Sequence, residues 1–408
     1  MGVMNIDDLK EDMVLSDDVT DITGRLLLQK GQKLRPNHVN IMKKWGVTEV
    51  SVVDDANDEL SSGSNRNRKE TEQIEQEIIP IFKYVDLDHP AIKELFRLSV
   101  LFRKEQDISE GMPKSLPAES IDIHEVHPTV DVREKISQNS LKLPEIPNVV
   151  FELNDILSDP LSTADSLAQV VAKSPSLTAA LLKIVNSSFY GFSSKIDTIS
   201  RAVTIIGTRE ISSLALVICT ITVFKNIPRE ILGMRSFLKH SFACGLLSRM
   251  MAANRNIQQT EQLFVAGLLH DIGRVIIYKY FPEQAKALLT RCMVSEKVLH
   301  QEEHNFLGCN HTDVSRYVLQ EWNFPPVLEN NIFYHHNPMA ANDPVQASIV
   351  HLADIIVNGL GIGSSGEKLV PPLDTEAWEL LGLPPSSFEV IINQASHQLT
   401  SLDLFLQE

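Results

Sequence analysis

A histidine and an aspartate stand side by side inside the apolar run FVAGLLHDIGRVII, residues 264–277. No other feature restricts the fold as strongly. A polar pair enclosed by apolar neighbours must find partners or it costs several kcal/mol. The surrounding chain supplies helices to meet it. From about residue 136 onward, apolar residues recur at helical spacing and no strand pair is evident. That pattern predicts an all-α region whose polar centre is assembled from facing helices.

Eight of the 13 histidines lie between 240 and 351. His240 and Asp354 share with His270 and Asp271 the property of standing on an otherwise apolar helix. Imidazole and carboxylate together suit Fe, Mn, Zn or Ni. Adjacent helix positions point about 100° apart, so His270 and Asp271 can approach one ion from two directions. A carboxylate can also bridge two ions, as two-metal hydrolases require. A second reading stands beside this one. His270 and Asp271 could satisfy each other or the backbone, and Asp354 could cap or pair. His335-His336 precedes Asn337-Pro338 at a helix end, where imidazoles suit the dipole. His311 could simply open a helix, and His351 reads as a core group or one supporting a ligand. His300 and His304 lie in a charged stretch and read as solvated.

Composition narrows the class. Hydrophobic residues make up 43% of 408, and the net charge is −16. An acidic chain has no general electrostatic footprint for nucleic acid or for an anionic leaflet. SNRNRKE is the longest basic cluster and is short enough to be merely solvated. Cys219, Cys244, Cys292 and Cys309 form no CxxC pair and sit in apolar or helical surroundings. Reduced thiols in a cytoplasmic chain fit them better than a zinc knuckle or disulfides. The opening MGVMNIDDLKEDM has neither an apolar leader core nor the myristoylation pattern, since residue 6 is Ile. The longest apolar run, Leu214–Phe224, is too short to span a bilayer and reads as a buried helix.

Four regions follow. Residues 1–55 predict a small β-rich module: MVLSDDV and RLLLQKG as a hairpin around DITG, a helix in PNHVNIMKKWG, and a strand in VTEVSVV. Residues 56–135 predict a linker, polar over 55–68, helical over 69–84 and 89–105, and loose over 106–132. Residues 136–356 predict the helical domain, with Ser162 as N-cap of TADSLAQVVAK and Pro175 opening the next helix. Residues 357–408 predict a helical extension, in which GIGSSGEKLVPPLD (361–374) separates the Asp354 helix from a tail helix. That helix could pack back or dock a partner.

Residues 138–356 resemble the HDOD domain. The likeness rests on Leu143-Pro144, Pro147, Ser174-Pro175, Leu182, Asn186-Ser187, Phe189-Tyr190-Gly191, Ile199, Ala202 and Ile206-Gly207. It continues through AGLLHDIGR, LGCNHTDV, the tryptophan of QEWNFP, FYHHNP and VHLAD. Residues 5–53 resemble a short module that precedes some HD-type signalling domains. HDOD domains are all-helical, bacterial, and similar to the HD-GYP phosphodiesterases and other HD phosphohydrolases. The resemblance implies metal positions at His240, His270, Asp271 and Asp354, with further HD-GYP-like positions at His311, His335 and His336. Three departures stand out. Arg274 replaces the lysine that follows HDxG, and Ser236 replaces a glutamate. HHNPMAAND stands where the GYP loop would be. A planar guanidinium is not equivalent to an ammonium at a phosphate.

The functional expectation is a bacterial signalling module that works by contact with protein partners and without catalysis. Nucleic acid and membrane are not expected as partners. The alternative is a metal-dependent phosphohydrolase acting on a nucleotide or cyclic dinucleotide. It would use two ions to activate water, and Arg274 as a phosphate contact. The expected cofactor is a divalent Fe, Mn, Zn or Ni ion, or none.

Overall fold

The computed structural model describes residues 70–106, 132–137, 148–158 and 161–406, except 187–189, 191, 193, 224–230 and 259. Of the first 52 residues it describes 2–5, 9, 13–20, 26–35, 38, 42 and 49–52. The chain divides into two compact units, Met1–Gln73 and Ile74–Glu408.

In the first unit β1 (Gly2–Asn5) pairs antiparallel with β4 (Glu49–Val52), Gly2 standing opposite Val52. The expected hairpin is formed by β2 (Val19–Thr20) and β3 (Leu26–Leu28), also antiparallel. Leu15, Leu28, Leu34, Met42, Val50 and Val52 form a separate small core. The expected helix over 36–46 falls almost wholly outside the described residues, as do the polar linker 55–68 and the connector over 107–131.

The described secondary-structure elements of the second unit are all helices. Its N-terminal part stacks Asn148–Ser158, Ala164–Ala172, Pro175–Val185 and Ile199–Ile206 around Thr208–Val223. Local chemistry sets these ends. Ser174 accepts from the Leu177 N–H with Pro175 in the first turn. The next cap upstream is Thr163 rather than the expected Ser162: Thr163 and Ser166 bond each other's backbone in a capping box. Asn186 closes its helix by donating to the Leu182 and Ile196 carbonyls and accepting from the Ile196 N–H. The Ser187–Gly191 aromatic turn lies almost entirely outside the described residues. Of the longest apolar run, Leu214, Ala215 and Cys219 are buried on the Thr208–Val223 helix. No described helix is long and apolar enough to cross a membrane.

The C-terminal part is built on Met234–Asn254, which packs against Thr260–Leu269, Pro344–Leu360 and Ser387–Leu406. Two glycines let the first pair touch backbone to backbone. A Cβ on Gly245 would lie 2.6 Å from the Phe264 carbonyl, and one on Gly267 would lie 2.7 Å from that of Cys244. The tail helix packs back, burying Phe388, Ile391 and Ile392 and leaving Val390 exposed. The Pro90–Gln106 helix buries Ala91, Ile92 and Leu95 in the same core and packs on Pro344–Leu360.

Candidate metal centre

Six helices and the turns at their ends bring the polar residues together. His240 comes from Met234–Asn254, and His270 and Asp271 from the junction of Thr260–Leu269 with Ile272–Tyr280. His311 opens His311–Glu321, His335 and His336 follow Pro326–Phe333, and Asp354 lies on Pro344–Leu360. A chain break in the helix makes the junction possible. Asp271 carries non-helical backbone, φ −98° and ψ 18°, so the helix bends between the histidine and Ile272.

His270 Nε2 lies 3.4 Å from His240 Nε2, 3.4 Å from Asp354 Oδ1 and 3.1 Å from Asp271 Oδ2. His240 Nε2 is 3.3 Å from Asp354 Oδ1 and 3.7 Å from both Asp271 Oδ2 and Cys244 Sγ. The other Asp271 oxygen faces the opposite way. Its Oδ1 is 3.1 Å from His311 Nε2, which is 3.4 Å from His335 Nε2. One carboxylate thus joins a His240–His270–Asp354 group to a His311–His335 group.

The remaining ring nitrogens fix the tautomers. His270 Nδ1–H donates to the Gly267 carbonyl and His335 Nδ1–H to that of Ile332, each at 2.7 Å. His311 Nδ1 is bonded to Glu303 Oε2. Each Nε2 then presents a lone pair toward carboxylate oxygens and other Nε2 atoms. Such a convergence of acceptors is satisfied by positive charge between them, as a proton or as a metal ion. The buried Asp271 Oδ1 faces His311 Nε2 at 3.1 Å, where a proton or an ion between them satisfies it. A divalent ion fits this donor set. Without one, a proton does the same work. Burial alone would lower His270, but Asp271 and Asp354 overcome it and raise its pKa to about 10. Burial works against ionisation of Asp271 too, and is outweighed by Arg274, His270 and His311, which hold it well below the usual carboxylate range. His335 and His336 shift the opposite way. Burial first, then neighbouring imidazoles, push both well below the ordinary value, leaving them neutral and free to donate a lone pair.

The centre is sealed. His240, His270, His311 and His335 are 0% exposed, Asp271 1% and Asp354 4%. Part of the seal is the segment that the sequence read only as a separator, 361–374. The Ser364 N–H donates to the Ser236 carbonyl, one turn before His240. Ser365 Oγ accepts from Arg274 Nη1 at 2.7 Å, and its carbonyl accepts from the Tyr278 hydroxyl. Glu367 accepts from the Leu299, Lys368 and Leu369 N–H groups. At the far end the Asp374 N–H donates to His351 Nε2, while His351 Nδ1–H donates to the His335 carbonyl. His351 is therefore a supporting group and points no free nitrogen at the centre.

Arg274, expected as a phosphate contact, is buried within the scaffold. Its Nη1 donates to Asp271 Oδ2 at 3.0 Å and its Nε to Glu303 Oε1 at 2.9 Å. Glu303 in turn receives the His311 N–H at 2.9 Å. Burial opposes the ionised form of Glu303, yet His311 and Arg274 bring its pKa down to about 2.

Three participants were not read from the sequence. Glu303 has no signal there beyond sharing a charged stretch with exposed residues. His300, taken as solvated, stacks on His336 with ring centroids 4.0 Å apart, and its Nδ1 and His336 Nε2 are buried without hydrogen-bond partners. His304 is exposed as expected. Cys244 is fully buried at the centre. Its signal was available: it lies four residues after His240, on the same helix face. Burial, then Asp354 and Asp271, push its thiol well above the ordinary range.

Fold and site together define a helical protein of HD type, with histidines and aspartates from separate helices closed around one buried centre. Residues 143–338 match the model of the HDOD domain, so the chain carries an HDOD domain. An HDOD-domain protein of Geobacter sulfurreducens is 20% identical, covering 68% of this chain and 99% of its own, with a TM-score of 0.57. A Marinobacter aquaeolei VT8 protein named as a candidate in signal transduction is 19% identical, covering 67% and 61%, with a TM-score of 0.55. These likenesses show the fold. An uncharacterised protein of Treponema pallidum (strain Nichols) is 24% identical over 212 residues, 51% of this chain but 40% of that protein.

Proposed function

We propose that the chain is a regulatory HDOD module that acts through protein partners and does not hydrolyse phosphate esters. The burial of the centre carries this reading. A metal-dependent hydrolase must bring substrate phosphorus and water to its ions. Here every metal-site position from His240 to Asp354 named above, His336 apart, is at most 4% exposed. The guanidinium that would meet a phosphate is held by Asp271, Glu303 and Ser365. Ser236 and the HHNPMAAND sequence add to this, because a glutamate and a ligand-binding loop are replaced.

A divalent ion would be held by His240, His270, Asp271 and Asp354, with His311 and His335 across the Asp271 bridge. It would supply positive charge to the converging lone pairs, and so tie the surrounding six helices together. His270, His335 and His311 orient toward it through Gly267, Ile332 and Glu303. The four cysteines are free thiols, in keeping with a reducing bacterial cytoplasm. A charge of −16 favours protein partners over nucleic acid.

One observation favours the hydrolase reading: Asp271 turns its two oxygens toward two separate donor groups, as a carboxylate bridging two ions would. The deciding experiment assays nucleoside phosphates and cyclic dinucleotides with wild type and Asp271→Asn, each loaded with Mn, Fe, Zn or Ni. The regulatory reading expects equal, background rates. Turnover by wild type that the variant loses, at unchanged helical content, overturns it.

A further inference from the structure

Within the His240 side of the centre, four donor atoms from four residues lie within 4.8 Å of one another: those of His240, Cys244, His270 and Asp354. The separations between them have a definite size. His240 Nε2 to His270 Nε2 is 3.4 Å, His240 Nε2 to Asp354 Oδ1 is 3.3 Å, and His270 Nε2 to Asp354 Oδ1 is 3.4 Å. Cys244 Sγ is 3.7 Å from His240 Nε2. Ligands at about 2.0 Å around a tetrahedral zinc ion are about 3.3 Å apart, and a sulfur at about 2.3 Å stands about 3.6 Å from a nitrogen neighbour. The nitrogen and oxygen separations match one face of such a tetrahedron, and the sulfur stands 3.7 Å from His240 Nε2 and within 4.8 Å of the other two donors.

We propose that Cys244 is a metal ligand, completing with His240, His270 and Asp354 a set of two imidazoles, one carboxylate and one thiolate that selects zinc. The inference rests on the reading that the centre holds a metal, and it goes further by naming the ion and the donor that selects it. Thiolate favours zinc over manganese and other ions of oxygen-rich sites. A four-coordinate set supplied wholly by protein is the mark of a structural zinc site, whereas a catalytic one keeps a position open. Asp271 Oδ2 stands at the edge of this set, 3.1 Å from His270 Nε2 and 3.7 Å from His240 Nε2, and shares its charge with Arg274 Nη1 at 3.0 Å, while its Oδ1 faces His311. Packing holds the sulfur in place. Cys244 is one helical turn from His240 on the same face, and its carbonyl lies against Gly267, where any side chain would collide.

Cobalt reports thiolate ligation directly. The full-length protein is freed of metal and reloaded with Co2+. Wild type is expected to show an intense thiolate-to-cobalt charge-transfer band in the near ultraviolet. Cys244→Ser should lose it, while Cys309→Ser, altered at another buried cysteine, should keep it. Zinc affinity of Cys244→Ser should fall at least about tenfold, the loss that removing even a supporting partner produces. If that variant does not fold, X-ray absorption at the zinc edge of the wild type decides instead, with a sulfur neighbour at about 2.3 Å expected. Cobalt bound without the band, a band that survives in Cys244→Ser, or a zinc shell of nitrogen and oxygen alone overturns the assignment and leaves the metal reading standing. Protein that binds neither ion overturns both.

Discussion

Gly273 lies directly against the His311 carbonyl: a Cβ built on it would stand 1.9 Å from that oxygen and 2.8 Å from Ser315 Oγ. The Gly273 N–H also donates to Ser315 Oγ at 2.9 Å. The glycine two residues after Asp271 thus sets how closely the His270–Asp271 junction approaches the His311 helix. Gly273→Ala should destabilise the protein by at least about 3 kcal/mol, the upper end for overpacking, because the clash is with backbone. Urea unfolding of the variant checks this, and a midpoint equal to wild type would mean that the helices separate freely.

Arg274 neutralises two buried carboxylates, Asp271 and Glu303. Arg274→Ala should cost about 3–5 kcal/mol, because it leaves buried charge unpaired. Arg274→Lys should recover only part of that, since one ammonium cannot reproduce the fork between the two acids and Ser365. Were Arg274 instead a reserve for substrate phosphate, both variants would unfold like wild type and differ from it only in ligand binding.

Glu367 gives a pH dependence of known sign. Burial outweighs Arg274 and three backbone N–H donors, so its pKa rises from 4.5 to about 7. Between those values the folded protein holds a proton that the unfolded chain lacks. The stabilisation is complete below about pH 4.5 and is lost as pH rises through 7. Its span is at most about 3 kcal/mol. The unfolding free energy of Glu367→Gln relative to wild type should therefore rise between pH 5 and pH 8. A difference that stays flat over that interval would show that Glu367 ionises normally.

Metal should stabilise the fold by mass action. Saturation to about 100 times the dissociation constant contributes about 2.7 kcal/mol, which for a domain of this size raises Tm by about 5 °C. Differential scanning calorimetry of chelated protein, with and without added zinc, measures it. His311→Ala should lose part of the gain and His304→Ala, exposed and outside the centre, none of it. Equal melting with and without the ion would leave the histidines as a proton-bridged cluster.

How far the sequence could be read varies with the kind of signal. The His270–Asp271 pair was legible because a charged pair in an apolar run has few physical solutions, and His240 and Asp354 because each breaks a helix that is otherwise apolar. Pro175 marked the start of its helix, whereas Ser162 and Thr163 are alternative hydroxyls one residue apart. The reciprocal Thr163–Ser166 capping box makes Thr163 the residue that starts the helix. His300 looked solvated because its sequence neighbours are charged, yet the turn of the chain stacks it on His336. Arg274 looked like a free cation because nothing in its vicinity along the chain reveals Glu303, 29 residues away.

The amino-acid sequence by itself determined the helical periodicity and the polar residues that must be paired. Both follow from local sterics and from the cost of burying a charge. Tertiary structure alone decided which oxygen of Asp271 faces which histidine, that Cys244 joins the centre, and that residues 361–374 seal it. Those outcomes depend on distances between segments far apart in the chain, and such distances are set by the packing of whole helices rather than by any residue's neighbours in sequence.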